Sequence, residues 1–168
     1  MVSKLGIARQ IAAVGAHVAR EHVTKPMAVR PTDVPRGPQA LTAEWLTGAL
    51  CTQVPGAHVV AFTFGEAHSG ATARGRIELT YNGAGQAAGL PAWVWFKATP
   101  TLTTRLVSGL TGASQNEGRF YIQIRPGLEL LSPLGYHAAA DPSSGRTFVL
   151  IEDIAHTRNA RFASPADR

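Results

Sequence analysis

The chain has 168 residues, of which 45% are hydrophobic and 16% charged. That composition suits one folded domain with a real core and excludes a disordered chain or a highly charged scaffold. The formal net charge of +5 favours an anionic partner, but no run of five or six basic residues occurs, so the expectation is a phosphorylated ligand and no nucleic acid.

Residues 1–25 read as an amphipathic helix, with Ile7, Ile11, Val14 and Val18 at helical spacing and Lys4, Arg9 and Arg20 elsewhere. Such a helix can lie on an anionic membrane, but packing on the domain or on a partner is the preferred reading. It has no long apolar run and no Ala-x-Ala cleavage site. Residues 26–40 carry Pro26, Pro31, Pro35 and Pro38, which remove backbone donors and fix φ, so the expectation is an extended linker. Leu41-Thr42 then opens a short helix, with Thr42 as its cap, Glu44 in its first turn, and Trp45, Leu46, Ala49 and Leu50 on its apolar face. Cys51 is the single cysteine. It excludes an internal disulfide, suits a reducing, cytoplasmic setting, and fills a core gap rather than serving as a nucleophile. No stretch reaches the ~18 apolar residues that a membrane span needs.

From Val59 the chain reads mainly as strand. Val59 to Phe64 is β-branched and aromatic. Ile77, Leu79 and Tyr81 alternate with Arg76, Glu78 and Thr80. Asn82-Gly83 and Gly85 to Gly89 turn the chain into a strand ending at Lys97, which predicts an antiparallel meander of three strands. Leu102, Leu106 and Leu110 suggest a short helix or an ordered loop. A helical pattern then runs from Asn116 through Phe120, Tyr121, Ile124 and Leu128, limited by Pro126 and Gly127. Tyr136 to Ala140 and Thr147 to Ile151 are two further strands around an Asp141-to-Gly145 turn. The fold class is therefore α+β: a five-stranded antiparallel sheet with one packed helix and N-terminal helices.

Three constellations carry chemistry. The loop from Gly65 through Ser69 and Gly70 to Gly75 is rich in small residues. Its backbone N–H groups can approach phosphate oxygens closely, with Ser69 and Thr72 as hydroxyl donors. Its glycines are not spaced Gly-x-Gly-x-x-Gly, and a plain flexible hairpin explains it as well. Lys97, at a strand end beneath that loop, can neutralise phosphates if a carboxylate holds it. Glu117 shares a helical face with Phe120, Tyr121 and Ile124 and so points inward as its partner. The alternative is an exposed lysine and a glutamate serving the helix dipole. In Leu150-Ile151-Glu152-Asp153-Ile154 an apolar strand turns abruptly polar, which suits a hinge. There the carbonyl of Glu152 and the N–H of Ile154 can face an adenine edge, and Asp153 is expected to cap the next segment. A carboxylate pair for a shared metal is disfavoured because adjacent strand residues point to opposite faces. The six histidines form no metal-ligand pattern.

In this order, Leu41-to-Leu46, Arg76-to-Tyr81, Trp95-to-Pro100, Asn116-to-Tyr121, Pro133-to-Tyr136 and Leu150-to-Ile154 resemble the small lobe of the aminoglycoside phosphotransferase and choline kinase superfamily. Within it they are most similar to the ecdysteroid kinase-like (CHK kinase-like) branch. The resemblance covers roughly residues 41–155 and leaves 156–168 as a tail. It implies that Lys97 binds the phosphates of ATP, that Glu117 holds Lys97, that Gly65 to Gly75 covers the phosphates, and that residues 151–154 form the adenine hinge. It implies transfer of the γ-phosphate, with magnesium, to a hydroxyl of a small molecule. Such enzymes carry a His-x-Asp catalytic loop and a later magnesium-binding aspartate in a large lobe. No histidine here is followed two positions on by aspartate, and 14 residues follow Ile154. The expectation is a nucleotide-binding lobe, inactive alone, whose Mg ligands and acceptor pocket belong to a missing lobe. An exposed cleft face would invite self-association. Two other classes stay open: a non-catalytic interaction module, and a charge-driven binder of acidic ligands or nucleic acid.

Overall fold

The computed structural model describes residues 4–69 and 72–160. Its centre is an antiparallel five-stranded sheet in the order β1-β2-β3-β5-β4. The strands are β1 (Val59–Ser69), β2 (Ala73–Tyr81), β3 (Trp93–Ala98), β4 (Gly135–Asp141) and β5 (Arg146–Glu152). The described residues also hold six α-helices: α1 (Lys4–Thr24), α2 (Ala43–Leu50), α3 (Gly83–Ala87), α4 (Leu102–Thr111), α5 (Ala113–Arg119) and α6 (Ile154–Thr157). This is an α+β fold with the layout expected of a kinase-like small lobe, although more than one helix is packed on the sheet.

Strand alternation decides the two faces. Ile77, Leu79, Val94, Phe96, Phe148 and Leu150 point to one face and meet Trp45 and Leu46 of α2 in the main core. Val149 and Ile151 point to the other face, where Tyr121, Phe120, Trp95 and Ala138 join them. Trp45 is fully buried and meets the Phe148 and His137 rings edge-on at 5.4 and 5.1 Å. Burying side chains of this size contributes roughly 1.5–3 kcal/mol each, so α2 is a main source of stability. Its N-terminus forms as expected: the Thr42 hydroxyl accepts from the Trp45 N–H at 3.1 Å and donates to the Ala28 carbonyl at 2.7 Å. Cys51 is buried, and burial pushes its thiol pKa up.

Three expectations change. The small-residue loop is shorter than predicted: β1 runs to Ser69 and β2 starts at Ala73, so Gly65 and Gly75 lie in paired strands. Gly70 lies outside the described residues, as does the tail beyond Ala160. The turn after β2 contains α3, capped by the Asn82 side chain, which also takes the His58 N–H at 3.1 Å. The proline-rich segment 26–40 is packed rather than detached. The Trp45 indole N–H donates to the Asp33 carbonyl at 2.9 Å, and His137 Nε2 meets the Pro31 carbonyl at 3.0 Å.

Helix α1 packs on α4 through Val14 and Glu21, with Ile7 and Val18 half-buried and Ile11 exposed. Its C-terminal end is fastened electrostatically. Arg105 of α4, only 2% exposed, donates to both Glu21 carboxylate oxygens, at 2.9 and 2.6 Å. No helix among the described residues is long and apolar enough to cross a membrane.

Candidate functional site

In β3, Val94, Phe96 and Ala98 enter the core, which places Trp93, Trp95 and Lys97 on the opposite, α5-covered face. Lys97 pairs across the sheet with Val149 on one side and Arg74 on the other. Helix α5 crosses close above this face because Gly118 has no side chain: a Cβ there would stand 3.2 Å from that of Ala138. The approach brings Glu117 over the strand end, and its Oε1 forms an ion pair with Lys97 Nζ. The side chains remain 26% and 31% exposed, so solvent and ligand can reach the pair. The ammonium also stands 6.0 Å from the centre of the Tyr121 ring. Lys97 and Glu117 are thus ion-paired, and Glu117 does not stand in the first turn of α5. The shared face predicted for Glu117 is only partly right. Tyr121 is buried and Phe120 half-buried, but Ile124 is 52% exposed, because residues 120–124 form a wider π-helical turn that rotates it outward.

Gly65 lies in β1 at a register shift between Phe64 and Ala67. A Cβ at Gly65 would meet Arg76 at an ordinary 3.5 Å, so nothing there requires glycine. Gly75 is the position that does. A Cβ would come within 2.8 Å of the Glu66 carbonyl oxygen and 2.9 Å of the Phe96 ring. Ser69 sits at the tip end of β1, its backbone opposite Ala73.

The 151–154 segment is the end of β5 followed by the single turn of α6. Glu152 is buried, and its carboxylate accepts from the Leu134 N–H at 3.0 Å, the Thr157 hydroxyl at 2.6 Å and the Arg158 guanidinium at 2.9 Å. Burial alone would raise its pKa; these donors outweigh it and hold the carboxyl below the usual range. Its side chain therefore ties the segment before β4 and the segment after β5 together and is not free for a ligand. Ile154 opens α6, where first-turn N–H groups lack intrahelical partners. Asp153 occupies the cap position, but its side chain does not cap: it pairs with Arg76 of β2, whose guanidinium lies 5.6 Å from the centre of the Trp93 ring.

Residues missed from the sequence lie between these two points. Along β3, Lys97 stands opposite Val149 and Val94 opposite Glu152, a separation of three residues or roughly 10 Å. Trp95 and the Arg76–Asp153 pair line that interval, and Trp95 stands 6.5 Å from His68. Arg74, exposed beside Lys97, makes no ion pair among the described residues. Two-residue alternation back from Lys97 was the signal that would have found Trp95. The face offers cations for an anionic group at one end and a flat indole beside it. Among the described residues, no three His, Cys, Asp or Glu side chains gather as a group able to hold a metal ion. Comparison with family models, with curated proteins and with solved structures gives no match.

Proposed function

We propose that the chain is the nucleotide-gripping lobe of an ATP-dependent phosphotransferase that acts on a hydroxyl of a small molecule. By its sequence motifs it would belong with the aminoglycoside phosphotransferase and choline kinase superfamily, near the ecdysteroid kinase-like branch. The observation that carries this reading is the Lys97–Glu117 ion pair, half-exposed on the sheet face beside the β1–β2 hairpin. A lysine fixed by a carboxylate is a pre-positioned charge for phosphates and needs little ordering when they arrive.

The β1–β2 hairpin would cover the phosphates. Arg74 would add a second cation, and the base would lie toward Trp95 and the Ile151–Ile154 segment. Phosphoryl transfer also needs a positioned base and metal ions that bridge the phosphates. This chain would supply nucleotide binding; the base, the magnesium ligands and the hydroxylated acceptor's pocket would belong to a second lobe. The single buried cysteine fits work in the reducing cytoplasm.

The test is calorimetric titration of the monomeric chain with Mg-ATP, beside Lys97→Ala and Glu117→Gln. Saturable binding weakened about tenfold or more by each substitution, roughly 1.4 kcal/mol, supports the reading. A folded chain that binds no Mg-ATP, or binds it equally well as Lys97→Ala, refutes it.

A second reading, an interaction module without catalysis, is favoured by the exposed apolar side chains along residues 124–134: Ile124, Leu128, Leu130, Leu131 and Leu134. Contiguous exposed apolar surface marks association. Concentration-dependent sedimentation, abolished by Leu131→Glu, would support it.

A further inference from the structure

Away from Lys97, a cavity of about 580 Å³ opens between the proline-rich segment 26–36 and the β4–β5 turn. Its lining includes three guanidinium groups, Arg30, Arg36 and Arg146, and two carboxylates, Asp33 and Asp141. Both carboxylates are already neutralised. Asp33 accepts from Arg30 at 3.1 Å and from the Val29 and Arg30 backbone N–H groups. Asp141 accepts from Ser143, Ser144 and Arg146, at 2.6, 2.5 and 3.2 Å. Behind them, Glu21 is taken by both nitrogens of Arg105, with Arg146 3.7 Å away.

Arg36 is the cation left over. Its carbonyl is held by Arg105 at 3.2 Å, but its half-buried guanidinium makes no ion pair among the described residues, and its Nε is enclosed by the chain, so the terminal nitrogens are what it can offer the cavity. A guanidinium with no carboxylate partner beside a cavity is a cation open to an anionic group. The volume lies within the roughly 300–1,000 Å³ of small-molecule sites. A guanidinium offers forked donors that match the oxygens of a phosphate or carboxylate group. The two carboxylates on the lining disfavour a long polyanion drawn across it.

We propose that this cavity binds the phosphate group of a small molecule, with Arg36 as its main ligand and Arg146 as the second. The bound group would pair with the Arg36 guanidinium and would clamp the 26–36 segment to the β4–β5 turn. Ligand that binds the native state alone raises the melting temperature. The site is independent of the Lys97 reading.

The test is thermal unfolding at constant ionic strength with inorganic phosphate, glycerol 3-phosphate, sulfate or citrate. It uses the wild-type chain, Lys97→Ala, Arg30→Gln, Arg36→Gln and Arg36→Lys. The expected result is saturable stabilisation by phosphate in wild type, Lys97→Ala and Arg30→Gln, weakened tenfold or more in Arg36→Gln. Arg36→Lys serves as the readout if Arg36→Gln is unfolded without ligand, and it too should bind more weakly. Tighter binding of glycerol 3-phosphate than of inorganic phosphate would identify a phosphomonoester as the natural class, and the reverse would identify free phosphate. Stabilisation by citrate alone, no stabilisation, or stabilisation that survives at Arg36 would overturn the assignment.

Discussion

Substituting Glu21 tests whether α1 belongs to the fold. The Arg105 side chain is 2% and that of Glu21 10% exposed, and the two make a bidentate pair. In Glu21→Met the charge on Arg105 stays buried, keeping only the carbonyl oxygens of Thr99 at 3.2 Å and Arg36 at 3.2 Å. Removing one member of a buried pair costs about 3–5 kcal/mol. Native stability is only about 5–15 kcal/mol, so the variant should be close to its folding limit. At about 2–4 °C per kcal/mol for a chain of this size, the melting temperature should fall by about 6–20 °C. Urea unfolding followed by tryptophan fluorescence measures the loss directly. The double variant Glu21→Met/Arg105→Met removes both charges and should recover much of it, because a buried pair replaced by apolar groups is often near neutral. A loss under about 1 kcal/mol for Glu21→Met, below the range for a broken buried pair, would refute the buried-latch argument. So would a double variant worse than Glu21→Met alone.

The β1–β2 hairpin offers a paired control: Gly75→Ala should lose about 1–3 kcal/mol by overpacking, while Gly65→Ala stays within about 0.5 kcal/mol of wild type. Equal losses in urea titrations would contradict the strand geometry. His137 gives a pH signature. Burial against Trp45 pushes its pKa down, only partly offset by its hydrogen bond to Pro31. The unfolded chain therefore binds a proton first. The stability this residue contributes is present above about pH 6.5, its unfolded pKa, and is lost as pH falls through the lower folded value. His137→Gln should flatten the stability curve between pH 7 and 5, and an unchanged slope would count against the assignment. Asp141 feels burial that would raise its pKa, but Ser143, Ser144 and Arg146 hold it well below the usual range, so its contribution goes at more acid pH.

Much of the sheet was legible because its signals are local. Ile77, Leu79 and Tyr81 alternate with polar neighbours, and all three are buried. The Asp141-to-Gly145 turn was equally plain, and Gly145 has the positive φ, 67°, that the turn needs. The pairing of Lys97 with Glu117 was readable once a helix was known to follow β3. The features that stayed hidden depend on distant partners. Asp153 reads as a cap from its neighbours alone; only the β2–β3–β5 pairing brings Arg76 to it. The prolines of 26–40 suggest a free linker, because nothing local reveals that Trp45 will bond the Asp33 carbonyl.

The sequence alone determined the α+β class, the order of the strands along the chain and the charge of the strand-end lysine, since these follow from periodicity and residue type. The tertiary structure decided which charges meet. It turned Arg105 and Glu21 into a buried latch, left Arg36 without an ion-pair partner among the described residues and brought Arg76 to Asp153. Ion pairs and cavities form between residues tens of positions apart, and their energies depend on burial and distance, which no local pattern encodes.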